Sequence, residues 1–209
     1  EEVKDNITPI TDLYIAPNIR PTIHNEQLIP AQQQLSEIFK NIRTEQIFGL
    51  SDLDKWAEGR IKPSATSFGR VIRFLSQIYA SNKAVLGIDV GAGSTTVASA
   101  LQGKLALNVY PQLGLGNKID TLAQFMSVDQ IAYWLPEDIP KPQIRDYLFN
   151  KAAHPASLPV TTEELAIEQA IARQIIRASV QQATANLPYE TTSAGPEMLP
   201  WLEMVVASG

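Results

Sequence analysis

Gly87–Leu101 reads GIDVGAGSTTVASAL, and its reading decides the fold. The run Ala84–Val90 (AVLGIDV) is almost wholly apolar, as expected of a strand covered on both faces. Gly91 and Gly93 flank Ala92 in a turn, and Ser94–Leu101 then alternates, with β-branched residues early. Gln102-Gly103 is a two-residue turn, and Lys104–Tyr110 (KLALNVY) alternates again. Three strands joined by tight turns make an antiparallel meander. A dinucleotide-binding unit is excluded, because it needs a helix between its first two strands.

Helices are expected on both sides of the meander. Upstream, Leu13–Ala16 has the composition of a short strand, and Pro30 opens a helix to about Arg43. Leu35, Ile38, Phe39 and Ile42 give that helix an apolar face. Ser51 is placed to cap a short helix that Gly59 stops. Ser64–Tyr79 is a third helix, with Phe68, Val71, Ile72, Leu75 and Ile78 on one side. Downstream, helices are expected over about 117–125, 129–134 and 143–151, and a long one from Thr162 to about residue 185. Thr161 with Glu164 fits a capping box there. Trp201–Ala207 (WLEMVVA) is a fourth strand. The expected organisation is a helical and extended segment, 1–80, leading into an α/β domain, 81–209.

The chain has 209 residues, enough for one substantial core, with 44% hydrophobic residues and a net charge of −5. No basic stripe is present, so no nucleic-acid partner is expected. No apolar run is long enough to span a bilayer, and no membrane role is expected. The chain contains no cysteine, which removes disulfides, thiolate metal sites and a cysteine nucleophile, and fits a reducing cytoplasm. It opens at Glu1 without a methionine, as an excised piece would.

The turn is where chemistry is expected. Two glycines let successive backbone N–H groups approach an anion with no Cβ in the way. The hydroxyls of Ser94, Thr95 and Thr96 follow, and hydroxyls donate to phosphate oxygens. Asp89, at the strand end, has the chemistry to hold a magnesium water or to position an attacking one. The bland alternative is a plain hairpin whose glycines supply positive φ. Other motifs fail. Position 96 is Thr where a third fingerprint glycine is needed, and no Gly-Lys-Ser/Thr loop exists. His24 and His154 read as ordinary side chains, and Glu163/Glu164 and Glu137/Asp138 as solvated charges.

Asp89–Val97, DVGAGSTTV, resembles the D-x-G-G-[GA]-T-[TF]-D-[VI] signature of chaperone-type actin-like ATPases. More closely, it is similar to the D-V-G-G-A-T-T-D-V segment of the glutamate mutase MutL-type family. Several flanks resemble that family too: Tyr14–Pro21 (YIAPNIRP), Lys62–Thr66 (KPSAT), Leu113-Gly114, Leu165–Arg177 (LAIEQAIARQIIR) and Val205–Gly209 (VVASG). The resemblance implies a ribonuclease-H-like (actin-like ATPase) fold: a three-stranded antiparallel meander followed by helices and a further strand. It also implies ATP and magnesium as cofactors and a cobalamin-dependent mutase as partner, serviced by a reactivating factor. Carried over residue by residue, Asp89 is the implied catalytic and metal-binding carboxylate. Gly91, Ala92, Gly93, Ser94, Thr95 and Thr96 are implied phosphate contacts, and Gly209 is implied at the start of an adenosine motif.

Two departures lower the negative charge at such a site. Thr96 stands where the signature has a second Asp, and Tyr110-Pro111-Gln112 lacks an acidic residue that the family tends to carry. The first phosphate hairpin is expected upstream of Glu1 and most of the adenosine pocket beyond Gly209. This piece is therefore expected to bind ATP weakly or not at all by itself. The alternative is a catalytically degenerate domain that acts as a protein-interaction scaffold.

Overall fold

The computed structural model describes residues 14–79, 82–116, 122, 126–136, 138–184, 187 and 200–209. The chain divides into two compact units, Glu1–Pro63 and Ser64–Gly209.

In the first unit, helix α1 spans Ile29–Gln46, with Pro30 in its first turn, where a missing N–H leaves no bond unmade. Helix α2 spans Leu50–Trp56. Ser51 is not its cap. The chain turns through Gly49 at φ 81°, so the helix starts before Ser51, which sits inside its first turn. Gly59, at φ 74°, ends the element as expected, its N–H returning to the Asp54 carbonyl at 2.9 Å. Lys40 joins the two helices, pairing with Asp54 at 2.9 Å and donating to the Gly59 carbonyl at 3.1 Å. The stripe expected on α1 is not covered: Leu35, Phe39 and Ile42 stay exposed, and Ile38 is half-buried. Tyr14–Ala16 form no strand, since among the described residues nothing pairs with them, and Leu13 lies outside those residues.

The second unit holds the sheet. Helix α3 spans Ser64–Ile78. Strands β1 (Ala84–Val90), β2 (Thr95–Leu101) and β3 (Lys104–Tyr110) form the expected antiparallel meander. Gln102 and Gly103, at φ 50° and 80°, close the β2–β3 hairpin with both residues in the left-handed region, the twist such two-residue turns require. Helices α4 (Val128–Ala132), α5 (Lys141–Ala153) and α6 (Thr162–Ala183) follow. Strand β4, Leu202–Ser208, then pairs in parallel with β1. The four-stranded sheet has the order β3-β2-β1-β4. The expected helix over 117–125 lies outside the described residues, apart from Leu122, which is fully buried.

Alternation along the strands sends side chains to two different cores. Val85, Ala98 and Ala100 face α3 and pack with Ile72, Phe68, Leu75 and Leu105. Leu86, Ile88, Val90 and Val97 face the other way and pack with Ile144, Ile167, Ile171 and Ile175 of α5 and α6. The sheet is thus covered on both faces, which explains the near-continuous apolar run of β1. Gly87 lets α3 approach closely, since a Cβ there would lie 2.5 Å from the Ile72 side chain. Thr161 caps α6, its hydroxyl accepting from Glu164 N–H at 3.1 Å. The return bond of the expected box is displaced by one residue: the Glu164 carboxylate accepts from Val160 N–H at 2.7 Å. No helix among the described residues is long and apolar enough to cross a membrane.

Candidate phosphate-binding turn

The residues singled out in the sequence converge at one end of the sheet. Val90 and Thr95 form the last β1–β2 pair, so Gly91–Ser94 is the connecting loop, closed by Gly91 N–H donating to the Ser94 carbonyl at 2.9 Å. On the α3 face, Asp89 lies between Thr96 on β2 and Ser208 on β4. Gly209 follows Ser208 and comes against Val90, where a Cβ would stand 2.4 Å from the Val90 carbonyl oxygen. Asp89 and Gly209 are far apart in sequence and adjacent here because β1 and β4 pair in parallel.

The loop is held from below on its carbonyl side. Leu115 N–H donates to the Gly91 carbonyl at 3.1 Å, and Gly116 N–H donates to the Ala92 carbonyl at 2.7 Å. The Thr95 hydroxyl, fully buried, donates to the Leu113 carbonyl at 2.6 Å. Gly114 makes this contact possible: a Cβ there would lie 2.5 Å from Ala92 O, 2.7 Å from Gly93 C and 2.8 Å from Ser94 N. Tyr110, opposite Thr95, is buried, and burial pushes its hydroxyl pKa up, so it remains a neutral wall of the site.

The other side of the loop is unspent. The N–H groups of Ala92, Gly93 and Ser94 donate to no group among the described residues. Ala92 and Gly93 are exposed, and the space where a Gly93 Cβ would be is open. Neither Gly91 nor Gly93 has a positive φ, so the hairpin explanation of these glycines fails. A Cβ on Gly91 would lie 3.1 Å from the Ser94 carbonyl oxygen. The carbonyls of Gly91, Ala92 and Ser94 are taken up, whereas, among the described residues, the N–H groups of Ala92, Gly93 and Ser94 are left for another acceptor.

Among the described residues, the carboxylate beside this loop is Asp89. It is half-buried, and its side chain makes no hydrogen bond or ion pair among the described residues. Its neighbours across the sheet carry hydroxyls, not charges. No group of three or more His, Asp or Glu side chains able to hold a metal exists among the described residues. Sequence reasoning overlooked Leu115, Gly116 and Ser208 as parts of the site. The Gly-Leu-Gly run at 114–116 was a readable signal for the first two, whereas Ser208 depends on the parallel register.

Against known proteins, the model of the family described as MutL protein matches residues 1–201. The chain belongs to the MutL protein family. That match contains the whole meander and the loop, while β4 from Leu202 onward lies beyond it. The MutL family is associated with glutamate mutase. No curated protein and no solved structure matched the chain.

Proposed function

We propose that this MutL chain is part of an actin-like ATPase with a ribonuclease-H-like core, and that it services a cobalamin-dependent mutase in the cytoplasm. The observation that carries this reading is that, among the described residues, the N–H groups of Ala92, Gly93 and Ser94 and the nearby Asp89 carboxylate have no hydrogen-bond partner. The N–H row and the Ser94 hydroxyl would hold phosphate oxygens. Thr95 acts indirectly, since its hydroxyl proton is engaged by Leu113. Gly209, flush against Val90, would leave room for a nucleotide to pass that edge.

Asp89 fits magnesium in the manner of sites that use one or two carboxylates and leave the remaining positions to water and phosphate. Magnesium, when bound there, would neutralise phosphate charge. Asp89 itself would orient its water, and the low hydration of a half-buried carboxylate strengthens that hold. With one carboxylate in the row, the loop alone is a weak site. Calorimetry of this chain with Mg-ATP should therefore show no dissociation constant tighter than about millimolar, roughly −4 kcal/mol. A micromolar constant would overturn this.

Turnover by the parent protein tests the reading directly. Asp89→Ala should lower ATP hydrolysis by about 10–100-fold if Asp89 acts on the metal or its water. Thr96, in the place of an acidic residue, favours a second reading in which the domain is a scaffold. In that case the parent and its Asp89→Ala variant would hydrolyse ATP equally, or not at all, while binding the mutase alike.

A further inference from the structure

Lys151 lies in the last turn of α5, well away from the loop in sequence, and is almost completely buried. A buried ammonium persists only where oxygens surround it. Lys151 Nζ donates to the Ser157 carbonyl and stands 3.4 Å from the Glu168 carboxylate on α6. Tyr147, one turn earlier on α5, donates its hydroxyl to the same carboxylate. Burial, then the hydrogen bond to Glu168 and its charge, push the Tyr147 pKa well up, so its proton stays in place. The three side chains therefore form one fixed polar cluster.

That cluster grips the segment following α5. His154 N–H returns to the Asn150 carbonyl at 2.8 Å, and Ser157 N–H donates to the His154 carbonyl at 2.9 Å, folding Pro155 and Ala156 into a tight turn. The Pro155 carbonyl oxygen then lies near Gly116. A Cβ on Gly116 would lie 3.1 Å from Ala92 O and 3.5 Å from Pro155 O. Gly116 thus lies close to the α5–α6 turn and holds the Ala92 carbonyl of the candidate phosphate loop.

We infer that Lys151 is a positioning residue for the phosphate-binding loop: by fixing the Ser157 carbonyl it sets the Pro155 turn, which seats Gly116 against Ala92. This rests on the reading of the loop as an anion site. The loop keeps its shape while the Gly91 and Ala92 carbonyls are held by Leu115 and Gly116, and this cluster is the far anchor of that hold.

The test is amide NMR on this chain. Lys151→Met should raise the exchange rate of the Gly116 amide about tenfold or more, above any change at Val97 in the core. It should also move the Ala92–Ser94 amide resonances and weaken their response to inorganic pyrophosphate and to Mg-ATP. Lys141→Met, which removes an exposed cation from the start of the same helix, should leave these amides unchanged. Lys151→Met with a native spectrum, unchanged Gly116 exchange and an unchanged loop overturns the inference. If Lys151→Met does not fold, Glu168→Gln, which removes the charge that holds the ammonium in place, is read at the same amides, and unchanged Gly116 exchange there overturns it equally. A wild-type loop that ignores both anions, with Gly116 still loosened by Lys151→Met, defeats the phosphate reading and leaves the positioning role standing.

Discussion

At the scale of single residues, the glycines of this chain do different work, and their substitutions separate it. Gly114→Ala would drive a Cβ into backbone atoms of the loop at 2.5–2.8 Å, and backbone yields only by moving. A loss of about 1–3 kcal/mol is expected, with displaced Ala92–Ser94 resonances, and urea unfolding measures it. Gly93→Ala meets open space at a negative φ and should stay within about 0.5 kcal/mol of the wild type. Equal costs for the two would refute the docking of Leu113–Gly116 beneath the loop. Charge gives a second test. Lys141 holds the exposed Asp129 carboxyl below its ordinary pKa, first by a hydrogen bond and then by its field. A lowered folded-state pKa contributes stability that is present above the unfolded value and lost as pH falls through the folded one. Lys141→Met should return the Asp129 titration towards its ordinary range, and a titration curve that does not move would show that the pair is not formed in solution.

At the scale of elements, α6 depends on its cap and its buried row. Thr161→Ala removes the acceptor for Glu164 N–H and should cost about 1 kcal/mol. Ile171→Ala, at a fully buried position, should cost about 2–5 kcal/mol, and a smaller loss than Thr161→Ala would mean that the α6 face of the sheet is loosely packed. The strands β1 and β3 were legible to the residue, because apolar runs bounded by glycine and a two-residue turn are local signals. The loop was legible for the same reason, and Asp89 with it. Ser51 misled because a cap depends on the φ of its neighbour, and the left-handed Gly49 moved the helix start. The Leu13–Ala16 segment has strand composition, but composition supplies no partner edge. The support from Leu115 and Gly116 and the grip of Lys151 on Ser157 were hidden, since each is a contact between segments with no common period.

At the scale of the whole molecule, burial is uneven. Both buried clusters lie within Ser64–Gly209, and no described residue of Glu1–Pro63 is fully buried, with Phe48 and Trp56 among its exposed side chains. A piece comprising 64–209 should unfold in one cooperative transition with a urea midpoint close to that of the full chain, because surface burial sets both slope and stability. A much lower midpoint would show that the first unit carries part of the core's stability. The parallel pairing of β4 with β1 also has a consequence in time. On the ribosome, the meander is complete once Tyr110 has emerged, whereas the outer edge of β1 waits until the chain reaches Ser208. For that interval a strand of apolar residues offers unpaired N–H and C=O groups to any nascent neighbour. The strand that places Gly209 beside Val90 is thus also the one that ends the period in which this protein is most open to pairing with the wrong partner.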